Sequence, residues 1–371
     1  RDLLAYLVRR LLENGANSSF VSVVGDVNIP VRDLLIRPAA ILNDGKGYAN
    51  PNIPLPLAIY PDRKNSRGLD FGDRKELAKL VASLGAQKAE IEAKPLIPGA
   101  SSFAMRDDVR SPVDGKPVGA VMNATTQNVA EAVEAARKGY KVWSKTNVED
   151  RARILEKAAD ALESQRDRFL AFLSKEAGKT LDDGVSEIRE AVDFCRYYAR
   201  QSVLSFGEPL VLPGPTGEDN RLTHRGRGVF VCISPWNFPL AIFAGQVVAA
   251  LAAGNAVIAK PAEQTPLVAY EMVKILHEAG VPKDALLFVP GDGRIGAALT
   301  SHPKIDGVCF TGSTETAWAI NRTLAAKNGP IVPLIAETGG MNAMIVDATA
   351  LPEQVADDVV SSAFRSAGQR C

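Results

Sequence analysis

Residues 228–260 read GVFVCISPWNFPLAIFAGQVVAALAAGNAVIAK, and the fold is decided in this stretch. An apolar run of strand length (228–233) is followed by a buried-type helix (239–252) and, after Gly254-Asn255, by a second short apolar run (256–260). Strand, helix and strand at this spacing form a βαβ unit, whose strands are parallel. The pattern extends toward the carboxyl end as helix 266–279, strand 286–289, helix 295–300, strand 307–310, helix 315–326 and strand 331–336. Apolar strands alternating with helices predict an α/β domain with a parallel sheet flanked by helices on both faces. Upstream, short strands are expected between 109 and 124, and helices at 128–138, 149–176 and 184–201. Residues 27–61 are rich in Pro, Gly and Asn and read as a connecting arm. Residues 2–14 gather Leu3, Leu4, Leu7, Val8, Leu11 and Leu12 on one helical face that Asn14-Gly15 closes.

Composition narrows the function classes. The 371 residues carry 43 basic and 43 acidic side chains, so no net field draws the chain toward nucleic acid or an anionic membrane. The longest apolar stretch, near 239–259, is broken by Gln246, Gly254 and Asn255, which argues against a membrane span. No leader segment is legible, the chain opens in mid-helix and both ends are expected to be cuts; the cytoplasm is the default location. Four cysteines (Cys195, Cys232, Cys309, Cys371) and three histidines lack the spacing of a zinc site or disulfide framework, so no metal is expected.

Ligands of such sheets bind beyond the carboxyl ends of the strands, and unusual residues cluster there. Ile233-Ser234-Pro235-Trp236-Asn237-Phe238-Pro239 offers the Asn237 amide as an oxyanion donor or as a turn former. Lys260-Pro261-Ala262-Glu263 pairs a cation and a carboxylate that suit either a ribose diol or a surface ion pair. Gly291-Asp292-Gly293-Arg294-Ile295-Gly296 matches GxGxxG, but it lies late in the sheet, outside the first βα turn where the dinucleotide fingerprint belongs. Phe310-Thr311-Gly312-Ser313-Thr314 precedes a helix, as a phosphate cradle or an ordinary N-cap. Cys232 and Cys309 sit in apolar strands and read as inert; Cys371, in the polar turn Gly368-Gln369-Arg370-Cys371, can be a nucleophile served by the Glu337 carboxylate.

In order and content these motifs together resemble the aldehyde dehydrogenase superfamily over about 94–371. The resemblance implies that Cys371 attacks an aldehyde, that Asn237 and the Cys371 backbone N–H hold the oxyanion, and that Glu337 activates the hydrolytic water. It further implies an NAD site in which Lys260 and Glu263 contact the adenosine ribose and Ser313 the pyrophosphate. Ile233, Pro235, Trp236, Phe310 and Thr338 would line the cofactor, with Gly293 and Gly296 on the adenine side. A carboxylate at Glu263 favours NAD over NADP, because it repels a 2′-phosphate.

The stretch Tyr6-Leu7-Val8-Arg9-Arg10-Leu11-Leu12-Glu13 resembles the last helix of a (β/α)8 proline dehydrogenase barrel, in which Tyr6, Arg9, Arg10 and Glu13 would belong to the proline site. Barrel end and dehydrogenase together resemble the bifunctional proline-oxidising family. That implies L-glutamate γ-semialdehyde as the aldehyde, FAD in the full-length barrel, and Glu190 and Phe238 as contacts for the semialdehyde's ammonium and aliphatic parts. The expected domains are 1–26, barrel end; 27–95, arm; 96–336, NAD-binding; and 337–371, start of a catalytic domain. Small-molecule substrates are expected; a homo-oligomer and a peripheral membrane or quinone contact of the longer protein are compatible. A dehydrogenase for another aldehyde keeps every motif from Asn237 to Cys371, and a DNA-binding repressor finds no support in these residues.

Overall fold

The computed structural model describes residues 8, 24–37, 39–40, 52–87 and 91–370. Two compact units, 1–55 and 56–371, divide the chain. In the first, the described residues include one helical turn, α1 (Val31–Leu34). The helix expected at 2–14 lies outside the described residues apart from Val8.

The second unit opens with a helix that the composition of the arm hides, α2 (Arg74–Ala86). Its signal is local: Asp73 accepts hydrogen bonds from the N–H groups of Lys75 and Glu76, closing the first turn. Strands β1 (Glu92–Ala93), β2 (Arg106–Arg110) and β3 (Pro117–Met122) make a small sheet ordered β1-β3-β2. Four helices follow: α3 (Thr126–Trp143), α4 (Val148–Ser164), α5 (Arg166–Glu176) and α6 (Leu181–Phe206). The single helix expected over 149–176 is thus two. The backbone leaves helical geometry at Gln165 (φ −98°, ψ 17°), and α5 then buries Phe169, Leu170, Phe172 and Leu173. A hairpin, β4 (Leu210–Leu212) and β5 (Asn220–Leu222), comes next.

The predicted alternation follows as β6 (Val229–Ile233), α7 (Ala241–Ala252), β7 (Ala256–Lys260), α8 (Pro266–Ala279), β8 (Leu286–Phe288), α9 (Gly293–Ser301), β9 (Gly307–Gly312), α10 (Thr314–Ala325) and β10 (Leu334–Thr338). The last strand starts three residues later than expected. Pro333 has no N–H for the ladder, although its carbonyl accepts from Val308. Helix α11 (Pro352–Phe364) and a short 3-10 turn, Arg365–Gly368, end the described chain.

The five strands are parallel and ordered β10-β9-β6-β7-β8. This is a doubly wound sheet, with its topological switch between β6 and β9. Period-two alternation splits the core into two layers: Phe230, Cys232, Val257, Ala259 and Phe288 join the layer of α4 to α8, while Val229, Val231, Ile258, Val308 and Phe310 join the layer of α3, α9 and α10. No described helix is long and apolar enough to cross a membrane.

Candidate active site

The switch point is where β6 and β9 diverge, and the candidate residues converge on it. Ile233 is the register partner of both Lys260 on β7 and Phe310 on β9. The amide of Gln246, on α7, ties the divergence: in the orientation that satisfies both ends it donates to the Ile233 carbonyl (3.3 Å) and accepts from the Thr311 N–H (3.3 Å) and hydroxyl (2.9 Å). Sequence reading treated Gln246 only as a break in an apolar run. A polar residue mid-helix in such a run was the available signal.

Beyond β6 the turn exposes Trp236 and half-buries Asn237 and Phe238. The Asn237 Nδ2 donates to the carbonyl oxygen of Gln369 at 2.9 Å. This bond crosses more than 130 positions of sequence and lands two residues before Cys371, which itself lies outside the described residues. The segment leading there is held from the other side: Arg365 forms an ion pair with Asp182, and the Ser366 N–H donates to Asp183 at 3.2 Å. Ser366, Ala367 and Gly368 all take left-handed backbone angles (φ 51°, 52° and 69°), a conformation that disfavours side chains with a Cβ.

Beneath the turn lies α6. Glu187 is fully buried, accepts from the N–H groups of Leu240 (2.8 Å) and Ala241 (3.2 Å) at the start of α7, and pairs with the buried Lys179 at 3.0 Å. Burial raises the Glu187 carboxyl, against the pull of Lys179. Glu190, three residues on, presents an exposed surface, yet crowding around its carboxyl raises its pKa; Glu187 adds to the rise, and Lys179 and Arg370 oppose it.

On the cofactor side, Lys260 is 4% exposed and donates from Nζ to the Pro261 carbonyl at 2.9 Å. Burial lowers its pKa, while Glu263 and Asp292 pull it back up. Gly296 is buried beside it; a Cβ there would sit 3.6 Å from the lysine stem and 3.9 Å from Ile233. Gly293 opens α9 in clear space behind its cap Asp292, at the end of β8, a sheet edge. Its GxGxxG letters therefore mark a tight βα turn away from the switch point.

The strand-to-helix junctions differ in how their first N–H groups are taken up. Acidic side chains accept at the starts of α7 (Glu187), α8 (Glu176, from Leu267 at 2.6 Å and Val268 at 2.9 Å) and α9 (Asp292). The start of α10 is capped by the neutral hydroxyl of Ser313, exposed and bonded to the Thr316 N–H at 3.2 Å. Of these four junctions it is the one whose cap leaves room for an anion, although Glu315 lies in its first turn.

Glu337 and Thr338 lie on β10, opposite Thr311 and Gly312; Glu337 is exposed, and no hydrogen bond among the described residues joins it to Asn237. Burial pushes the Cys195 thiol up to about 12, and Cys232, register partner of Cys309, lies fully buried in the sheet, which fits both for core packing. Tyr6, Arg9, Arg10 and Glu13 lie outside the described residues. No group of three or more His, Cys, Asp or Glu among the described residues is arranged to hold a metal.

Comparison with known proteins follows the same motifs. The model of the "Aldehyde dehydrogenase family" matches residues 100–371. The bifunctional protein PutA of Klebsiella aerogenes is 48% identical and that of Escherichia coli (strain K12) 46% identical, each across 100% of this chain and 28% of its own length. The chain thus spans little more than a quarter of these curated relatives. Among solved structures, a variant of Bradyrhizobium japonicum proline utilization A superposes with a TM-score of 0.87 at 59% identity, over 100% of this chain and 35% of that one. A 1-pyrroline-5-carboxylate dehydrogenase from Thermus with bound NAD superposes with a TM-score of 0.78 at 34% identity, over 83% of this chain and 61% of that one.

Proposed function

Because the chain belongs to the aldehyde dehydrogenase family, we propose that it supplies the nucleophile, oxyanion donor, base and most of the NAD site for oxidation of L-glutamate γ-semialdehyde to glutamate. The observation that carries this reading is the Asn237–Gln369 hydrogen bond, which joins the amide donor to the backbone two residues before the thiol.

In this reading the Cys371 thiolate attacks the aldehyde carbon. A C–S bond forms, and the carbonyl oxygen becomes an alkoxide held by the Asn237 amide and the Cys371 N–H. A bound NAD would supply the hydride acceptor; with its oxygen so held, the carbon would give up hydride and remain on Cys371 as a thioester. Glu337 takes one proton from the water that attacks the thioester; the C–S bond breaks to release the thiolate, and the carboxylic acid so formed loses its proton to solvent. The buried Lys260, the gap beside Gly296 and the hydroxyl cap at Ser313 fit a dinucleotide: Lys260 and Glu263 hold the adenosine ribose and Ser313 the pyrophosphate. Ile233, Pro235, Trp236, Phe310 and Thr338 form the wall, and Gly293 and Gly296 face the adenine. Glu190 takes the substrate ammonium and Phe238 its methylene chain.

We further propose, as the similarity to the longer PutA proteins supports, that the chain is a segment of a longer enzyme. Residues 1–26 end a proline dehydrogenase barrel using FAD, 27–95 form the arm, 96–336 the NAD-binding domain, and 337–371 begin the catalytic domain. Cytoplasmic location, assembly into homo-oligomers and a peripheral membrane or quinone contact belong to that longer protein. The test is kinetic. In the full-length protein kcat/KM for glutamate semialdehyde should exceed that for a simple aliphatic aldehyde at least tenfold, and Cys371→Ser should abolish both rates. Equal efficiency on the two aldehydes refutes the substrate, and activity surviving in Cys371→Ser refutes the mechanism.

A further inference from the structure

One buried ion pair has no part in the chemistry above. Gly178 takes φ +67° in the turn between α5 and α6, and this turn directs Lys179 inward until its side chain is 5% exposed. Its ammonium contacts two groups and also acts at longer range on the Glu190 carboxyl. On one side is Oε2 of Glu187, at 3.0 Å and with no exposed surface. On the other is the ring of Phe238, whose centroid is 3.8 Å from Nζ. The second oxygen of Glu187 accepts the first free N–H groups of α7, three residues after Asn237.

Capping a helix does not require a buried lysine. A neutral pair of similar volume serves as well, and buried ion pairs are often replaceable without loss of stability. What the ammonium adds, from its buried position, is a fixed attraction for the face of one aromatic ring. We propose, resting on the function given above, that Lys179 is a positioning residue for the aldehyde: it seats Phe238 and thereby orients the adjoining Asn237, while Glu187 holds the ammonium in place. The NAD contacts proposed at Lys260, Glu263 and Ser313 involve neither Lys179 nor Phe238 and do not depend on it, while the wall at Ile233, Pro235 and Trp236 adjoins the same turn.

The experiment uses the full-length enzyme. Lys179→Met should raise KM for the aldehyde at least tenfold, leave the Kd for NAD within about twofold, and lower Tm by stranding the Glu187 carboxylate. The double variant Lys179→Met/Glu187→Gln restores a neutral pair. It should regain the wild-type Tm while keeping the raised aldehyde KM. Recovery of aldehyde KM together with Tm overturns the proposal, since the pair would then be structural only. If Lys179→Met does not fold, Lys179→Arg is combined with Phe238→Leu: shifts in aldehyde KM that fail to add support the proposal, and additive shifts overturn it. Inactivity of the wild type on glutamate semialdehyde would refute the function proposed above. The positioning role is still read on whichever aldehyde the wild type oxidises.

Discussion

Asn237 and Gln369 are joined by a 2.9 Å hydrogen bond from side-chain amide to main-chain carbonyl. The amide has two N–H donors, so one can brace the turn before Cys371 while the other, in the proposed mechanism, serves the developing alkoxide. Asn237→Ala should therefore lower kcat by about 100- to 1,000-fold, the scale of losing one oxyanion donor. It should also change the rate at which Cys371 reacts with an alkylating agent. A variant with reduced kcat and unaltered thiol labelling would show that the brace contributes nothing.

Lys260 lies between β7 and the gap at Gly296, with Glu263 and Asp292 as its nearby charges. Lys260→Met keeps the stem and removes the charge. KM for NAD should rise about tenfold, worth about 1.4 kcal/mol, with kcat within threefold. Glu263→Gln removes the repulsion of a 2′-phosphate, so the NADP-to-NAD ratio of kcat/KM should rise severalfold. An unchanged ratio would detach Glu263 from the ribose.

Glu176 supplies a pH signature of stability. Burial pushes its carboxyl up to about 8, against the N–H groups of Leu267 and Val268, from an ordinary value of 4.5. Between those values the folded chain keeps a proton that the unfolded chain releases. The contribution is complete below pH 4.5 and is lost as pH rises through about 8, with a limiting slope of about 1.4 kcal/mol per pH unit. Urea midpoints should fall between pH 5 and 8.5, and the fall should be shallower in Glu176→Gln. Parallel curves for both proteins would contradict the assignment.

Much of this was legible in sequence because the sheet is buried on both faces: strands such as 229–233 and 256–260 are continuous apolar runs that can be little else. The site was legible for a related reason, since polar residues placed just after such runs stand out. Three things were hidden. The break at Gln165 leaves no mark in helical periodicity, since the helices on either side of it both bury apolar faces. The capping of α7 and α8 by Glu187 and Glu176 spans 53 and 91 positions, and no local rule reaches that far. Nothing in the sequence marks Lys179 or Glu187, and only the fold buries both.

The amino end of α6 holds the turn toward Cys371 through Asp182 and Asp183, and within two turns of the same helix stand Glu187 and Glu190. At 1.5 Å of rise per residue these groups lie within about 12 Å along one stiff rod. In the proposed function helix α6 is thus a ruler, graduated at one mark for the loop leading to Cys371 and at another for Glu190, so that one rigid element would set the reach from thiol to ammonium anchor.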